Sequence, residues 1–162
     1  MLPEEYNAAA NHAAVVRQDW MGILKLTGPE RQSWLQGMVT NEVEKLTAGQ
    51  GCYAGHLNAQ GKLVAQMIVL VTEEEVWLLV ERAVTAKLAG VFDKLIVMED
   101  VQVRDASDEY EVLGLVGPEA GNVLETWTGL SFKEATLYSH QPGSQGRLLV
   151  TDLGYDAIIS RE

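Results

Sequence analysis

Cys52 is the only thiol of the chain, and it lies in Gly51-Cys52-Tyr53-Ala54-Gly55, a run with the small and aromatic residues of a strand. A thiol reacts as its thiolate, which needs a nearby cation, helix N-terminus or metal. Gln50, Gly51 and Tyr53 supply no charge, so Cys52 reads as a small buried strand residue rather than a nucleophile. A lone cysteine forms neither an internal disulfide nor a thiolate metal site. His12, His56 and His140 are scattered without ligand spacing and read as ordinary surface or interface residues. Gly49-x-Gly51 lacks a third glycine and precedes a hairpin rather than a helix, which removes a dinucleotide loop, and no phosphate loop occurs.

The elements that must position these residues can be read in order. Gly49 to Val71 reads as a β-hairpin, because the turn Asn58-Ala-Gln-Gly61 puts glycine last, where a positive φ costs nothing, between two β-favouring runs. Ahead of it, the Ala-rich segment from Glu4 to Arg17 follows Pro3 and predicts a helix. Trp20 to Leu26 predicts a strand, and Gly28-Pro29-Glu30 starts a helix whose buried stripe is Trp34, Leu35 and Met38. After the hairpin come an acidic turn at Glu73 to Glu75 and an apolar strand from Val76 to Val80. Val84, Leu88, Val91, Phe92 and Leu95 then fall at helical spacing over Ala83 to Leu95. A strand from Val101 to Arg104 follows, with later strands near Leu137, from Arg147 to Thr151 and from Tyr155 to Ser160, and an exposed turn at Gln141 to Gly146. Strands joined by short turns pair antiparallel, so the class is α+β, with antiparallel sheets and helices on one face.

The chain also repeats itself. Leu24-x-Leu26-x-Gly28-Pro-Glu30 with Leu35 recurs as Leu113-x-Leu115-x-Gly117-Pro-Glu119 with Leu124, an offset of 89 residues. One strand-to-helix unit used twice gives a single domain over 1–162 with two similar halves, about 17–105 and 106–162. The bland account is that Gly-Pro-Glu is simply a good strand-to-helix turn. At 162 residues with 47% hydrophobic content, an ordinary globular core burying roughly 70% of the unfolded surface is expected. The net charge of −11 repels a polyanion, so nucleic acid is disfavoured as a partner. The longest apolar run, Met67 to Val71, is far too short to cross a membrane, and no signal pattern opens the chain, which predicts a cytoplasmic location.

The hairpin, taken with Leu26-Thr-Gly-Pro-Glu-Arg-Gln-Ser-Trp-Leu-Gln-Gly-Met-Val-Thr-Asn41 upstream of it, resembles the N-terminal folate-binding domain shared by glycine-cleavage aminomethyltransferases (T-protein) and YgfZ-type proteins. The resemblance spans about Arg17 to Ser160 and is strongest over the first half. It implies the fold of the N-terminal part of that domain; the rest of it and the C-terminal barrel have no match in this sequence, which reads either as part of a longer chain or as a short protein that keeps the fold and has lost tight folate binding. The YgfZ hallmark Lys-Gly-Cys-Phe/Tyr-x-Gly-Gln-Glu is matched only at Gly51 to Gly55, with Gln50 in place of Lys and His56-Leu57 in place of Gln-Glu. Position places this segment instead on the first strand of the folate-domain hairpin.

Just past the turn, aminomethyltransferases carry an Asp pair, one member of which contacts the reactive edge of tetrahydrofolate. Here the pair is Ala65-Gln66. An amide neither accepts a proton as a base nor balances an ammonium charge. The resemblance therefore implies a non-catalytic protein that binds tetrahydrofolate or a folate derivative, with a YgfZ-like role in iron–sulfur protein assembly or repair. It implies Met21, Tyr53, Gln66, Ile68 and Glu81 as the folate-contacting residues, and Asp156 in Leu153-Gly-Tyr-Asp-Ala-Ile as the match to a second folate-reaching acid. From the residues alone, Met21 and Ile68 are core in any fold, and Glu81-Arg82 is a solvated pair. Two other readings stand beside folate binding: a scaffold or interaction module that has lost folate and self-associates or meets the missing C-terminal region, and a one-carbon transferase with a substitute carboxylate.

Overall fold

The computed structural model describes residues 3–132, 134–144 and 146–161. They form two compact units: one runs from Asp19 to Glu109, and the other joins the residues up to Gln18 to those from Tyr110 onward. The residues ahead of 17, which neither of the expected halves near 17–105 and 106–162 includes, go with those from Tyr110 onward.

In the contiguous unit, β2 (Met21–Thr27) runs into α2 (Arg31–Gln36), followed by the hairpin β3 (Gly51–Leu57) and β4 (Leu63–Val71), then β5 (Val76–Glu81), α3 (Arg82–Leu95) and β6 (Gln102–Asp105). The strands form one antiparallel sheet in the order β3-β4-β5-β2-β6. Alternation along the strands sends Leu24, Leu26, Met67, Val69, Leu78 and Val80 to one face. There they meet Leu88 and Phe92 of α3 and Trp34 and Leu35 of α2, all buried. Burial of each such side chain stabilises the fold by roughly 1.5–3 kcal/mol, which is why the helix-period pattern of α3 and the two-residue period of the strands face one another. Phe92 anchors the layer, meeting Trp34 edge-on at 5.3 Å and the His56 ring at 5.0 Å between centroids.

The hairpin turn lies where the sequence puts it. Gly61 has φ +74, and the Asn58 Oδ1 accepts hydrogen bonds from the backbone N–H of Gln60 (3.0 Å) and Lys62 (2.9 Å). An Asn58→Ala variant loses both acceptors. We expect it to be about 1–2 kcal/mol less stable, read as a lower urea midpoint, with β4 otherwise intact.

The second unit holds α1 (Pro3–Asn11), β1 (Ala14–Arg17), β7 (Tyr110–Val116), α4 (Ala120–Thr128), β8 (His140–Gly143), β9 (Gly146–Thr151) and β10 (Gly154–Ser160). Its antiparallel sheet has the order β1-β7-β10-β9-β8. Read from the other edge, β8-β9-β10-β7-β1 matches β3-β4-β5-β2-β6 strand for strand. The helix–strand pair α1-β1 fills the place that α3-β6 holds in the first unit. The repeated Gly-Pro-Glu turns do the same work in both. Gly28 (φ +98) lies against the Asp100 carbonyl, two residues before β6, and the Glu30 N–H donates to that oxygen. Gly117 (φ +110) lies against the His12 carbonyl, two residues before β1, and the Glu119 N–H donates to it at 2.9 Å.

Three sequence expectations are corrected. The N-terminal helix ends at Asn11 instead of Arg17, because β-branched Val15 and Val16 pair with Leu115 and Gly114 of β7. Leu137 lies in a turn beside Tyr138 (φ +64) rather than in a strand. The segment Gln141 to Gly143, expected as part of an exposed turn, belongs to edge strand β8, and Pro142 is tolerated there because an edge strand has N–H groups that need no partner.

Candidate functional site

Strand register decides which side chains meet. In the first unit the face opposite the helices carries the even positions of β4 and the odd positions of β2, β3 and β5. Met21 stands opposite Glu81, Ile68 opposite both Leu79 and Tyr53, and Gln66 opposite Gly55. The five residues Met21, Tyr53, Gln66, Ile68 and Glu81 therefore converge, and together they line one open concavity of about 500 Å³. Gly55 has no side chain to fill the floor, and Leu63 folds over it: a Cβ built at Gly55 would sit 3.0 Å from the Leu63 Cδ1.

The walls are apolar. Trp20, Leu63, Val64, Leu79 and Val84 complete them, and none of these was assigned to a site by the sequence. Trp20, 55% exposed, and Leu63, 53% exposed, carried one signal: large apolar side chains placed beside a strand end and a turn, where burial is not available. Polar function is confined to three groups. The Tyr53 O–H donates to the Gln66 Oε1. Glu81 closes β5 at its last residue, where α3 begins, and its carboxylate makes no ion pair among the described residues. The expected Glu81-Arg82 pair is not formed, since Arg82 turns to the Asp108 carboxylate and donates to the Ser107 carbonyl at 3.2 Å.

Ala65 and Gln66 point apart. Ala65 is 6% exposed and faces the helix-covered core, so only position 66 presents its side chain to the concavity. Position 66 itself supplies no general base, since an amide does not titrate, and the carboxylate that lines the concavity is that of Glu81.

The remaining chemical candidates lie elsewhere. Cys52, expected as a buried residue, is half-buried against the helix-covered core, and that burial pushes its thiol up, away from the thiolate. His56 and His140 are buried, at 5% and 2% exposure, against the expectation of surface histidines. His56 is held by its Nδ1 at 2.7 Å from the Met38 carbonyl, and the Arg147 guanidinium donates to the Nδ1 of His140 at 2.6 Å. His12 does remain exposed, 3.4 Å from Glu119. Asp156 lies in the second unit, buried above Gly114, where the Gln18 amide donates to its Oδ1 at 2.6 Å. Burial raises its carboxyl to about 6, opposed by the Gln18 hydrogen bond and helped by Asp152. Among the described residues no cluster of His, Cys, Asp and Glu has metal-binding geometry, and no helix is long and apolar enough to cross a membrane.

Comparison with known proteins gives a consistent answer. The family model described as GCVT N-terminal domain matches residues 1–155. An aminomethyltransferase of Lysinibacillus sphaericus is 26% identical over 160 residues, which are 95% of this chain and 43% of the relative. One from Shouchella clausii is 30% identical over 149 residues, 87% of this chain and 41% of the relative. The crystal structure of glycine cleavage system aminomethyltransferase T from Bartonella henselae superposes with a TM-score of 0.84 at 19% identity, covering 96% of this chain and 44% of that one. A chain of heterotetrameric sarcosine oxidase from Corynebacterium sp. U-96 superposes with a TM-score of 0.62 at 21% identity, covering 91% of this chain and 75% of that one. The sequence spans less than half the length of the aminomethyltransferases it matches.

Proposed function

The chain belongs to the GCVT N-terminal domain family, and from that premise we propose that it binds a reduced folate, tetrahydrofolate or a derivative, without turning it over. The observation that carries this reading is the convergence of Met21, Tyr53, Gln66, Ile68 and Glu81 on one apolar concavity whose position 66 bears an amide. A pterin is a flat ring with apolar faces and a polar edge. Met21 and Ile68 offer an apolar surface to the face, and Gln66 and Glu81 offer hydrogen bonds to the edge. Aminomethyl transfer asks more, namely a carboxylate that balances an ammonium charge and guides protons. Gln66 does neither. A YgfZ-like role in iron–sulfur protein assembly rests on the resemblance of the hairpin alone.

Calorimetric titration with tetrahydrofolate tests the reading. Saturable heat with a Trp fluorescence change is expected, and Ile68→Glu, which sets a charge against the ring face, should weaken binding at least about tenfold. No heat and no fluorescence change at millimolar ligand would sink it. A tetrahydrofolate-dependent turnover assay that shows product would instead establish a transferase.

One observation favours an interaction module. In the second unit, exposed Val15, Val123 and Trp127 border an apolar groove of about 210 Å³ floored by Leu113, Leu115 and Ala157. Concentration-dependent sedimentation that folate does not alter would support that reading.

A further inference from the structure

The internal repeat shows what covers a sheet face of this kind, and where such a cover is lacking. In the unit from Asp19 to Glu109, α2 and α3 cover one face together, and Phe92 of α3 meets Trp34 of α2 edge-on at 5.3 Å. In the other unit α4 repeats α2, with Val123 and Leu124 at the offset of 89 from Trp34 and Leu35. The place of α3 falls to α1, which has nine residues against fourteen. None of those described in α1 is buried, whereas α3 buries Thr85, Leu88 and Phe92. Paired positions register the difference. Leu24 is buried and its counterpart Leu113 half-buried; Trp34 is buried and Val123 exposed; Val103, opposite Leu26, is half-buried and Val15, opposite Leu115, exposed. Leu78, opposite Leu24, gives way to Ala157, opposite Leu113, which deepens the hollow. The result is the apolar groove of about 210 Å³ between α4 and β1, with exposed Trp127 at its rim and no described residue of α1 in its lining.

The geometry points to an amphipathic helix of a partner protein as the occupant of this groove, one with two large apolar residues four apart and basic residues on its flanks. Helix-in-groove recognition uses anchors at that spacing, and Leu88 and Phe92 show it on the helix that covers the equivalent face. The basic flanks follow from charge. α1, together with α4 and its capping residue, carries Glu4, Glu5, Glu119 and Glu125 and no lysine or arginine. Glu119 lines the hollow that adjoins the groove at Val123 and Trp127, and Arg17, the cation of β1, lies 3.9 Å from Glu111. α3 has the opposite balance, with Arg82, Lys87 and Lys94 against Asp93. A second copy of this chain fits less well, since each copy carries a net charge of −11. The inference rests on the interaction-module reading and is independent of folate.

The probe is a synthetic peptide of residues 82–95, which supplies both features. A helix this short is marginal alone in water, so binding to the whole chain should raise the helical circular-dichroism signal saturably above the sum of the two components. The double variant Val123→Gln/Trp127→Gln changes two exposed side chains, keeps the charge and should weaken binding at least about tenfold. A peptide carrying Leu88→Asp and Phe92→Asp should not bind. One with Arg82, Lys87 and Lys94 replaced by Gln should bind more weakly and lose the salt dependence. Equal binding by that peptide would overturn the basic flanks. Binding that the double variant leaves unmoved would put the peptide elsewhere, the site of α3 itself included, and overturn the inference. So would no binding by the wild type, and sedimentation then separates the two readings. A dimer that the double variant dissociates would seat a second copy in the groove and keep the interaction module; a monomer at every concentration would remove that reading too.

Discussion

Alanine at Gly28 is expected to lower the free energy of unfolding by on the order of 4 kcal/mol. Two independent costs meet at this residue. Its φ of +98 lies in a region that an L side chain rarely adopts, and a Cβ there would stand 2.1 Å from the Asp100 carbonyl oxygen. Asp100 has little freedom to retreat, because its N–H donates to the Glu30 Oε2 at 2.6 Å and its carbonyl accepts from the Glu30 N–H. A useful control is Gly61→Ala. Gly61 also has positive φ, +74, but nothing lies within 4 Å of its missing Cβ, so its replacement should cost only the backbone term, about 1–2 kcal/mol. Urea unfolding of the two variants separates the costs. Equal losses at Gly28 and Gly61 would show that close packing against Asp100 contributes nothing.

Asp156 should make the protein less stable as the pH rises. Burial raises its carboxyl from the usual 3.8 to about 6, so the folded chain holds this proton more tightly than the unfolded one. Below pH 3.8 both states are protonated and the group costs nothing. Between 3.8 and 6 the unfolded state ionises first, and stability falls. Above 6 the loss is complete, about 3 kcal/mol for a shift of this size. Asp156→Asn keeps an oxygen for the Gln18 amide and removes the ionisation. It should therefore leave stability unchanged near pH 3.5 and raise it by about 2–3 kcal/mol at pH 8, flattening the slope between. A thermal or urea series across that range reads the effect directly. A variant no more stable than wild type at pH 8 would show that Asp156 is solvated when ionised.

Most of the fold was legible because its determinants are local. The Asn58 to Gly61 turn, the apolar period of Ala83 to Leu95 and the two Gly-Pro-Glu starts each sit inside one short window, where turn chemistry and hydrophobic spacing act. What escaped was set by partners distant in sequence. Val15 and Val16 leave the helical pattern of the first residues because β7, about a hundred residues on, offers them an edge. His56 and His140 read as surface residues until Phe92 and Arg147 close over them. The candidate site divides in the same way. Its five assigned residues came from likeness to a family, and strand register brings them together. Alternation along β4 alone would have told Gln66 from Ala65. The Tyr53–Gln66 hydrogen bond, diagonal across two strands, has no trace in either strand's own sequence.

The place taken by α1 and β1 in the second unit bears on how the molecule comes into being. The segment from Asp19 to Glu109 closes every ladder within itself, so all its strand partners are available once Glu109 has been made. The other unit must wait: β1 finds its neighbour β7 only after the whole intervening unit has been synthesised. During that interval β1 stays unpaired with Val15 and Val16 open to other strands. Aggregation during synthesis should therefore begin there, and a chain rearranged so that α1 and β1 follow β10 would be spared the delay.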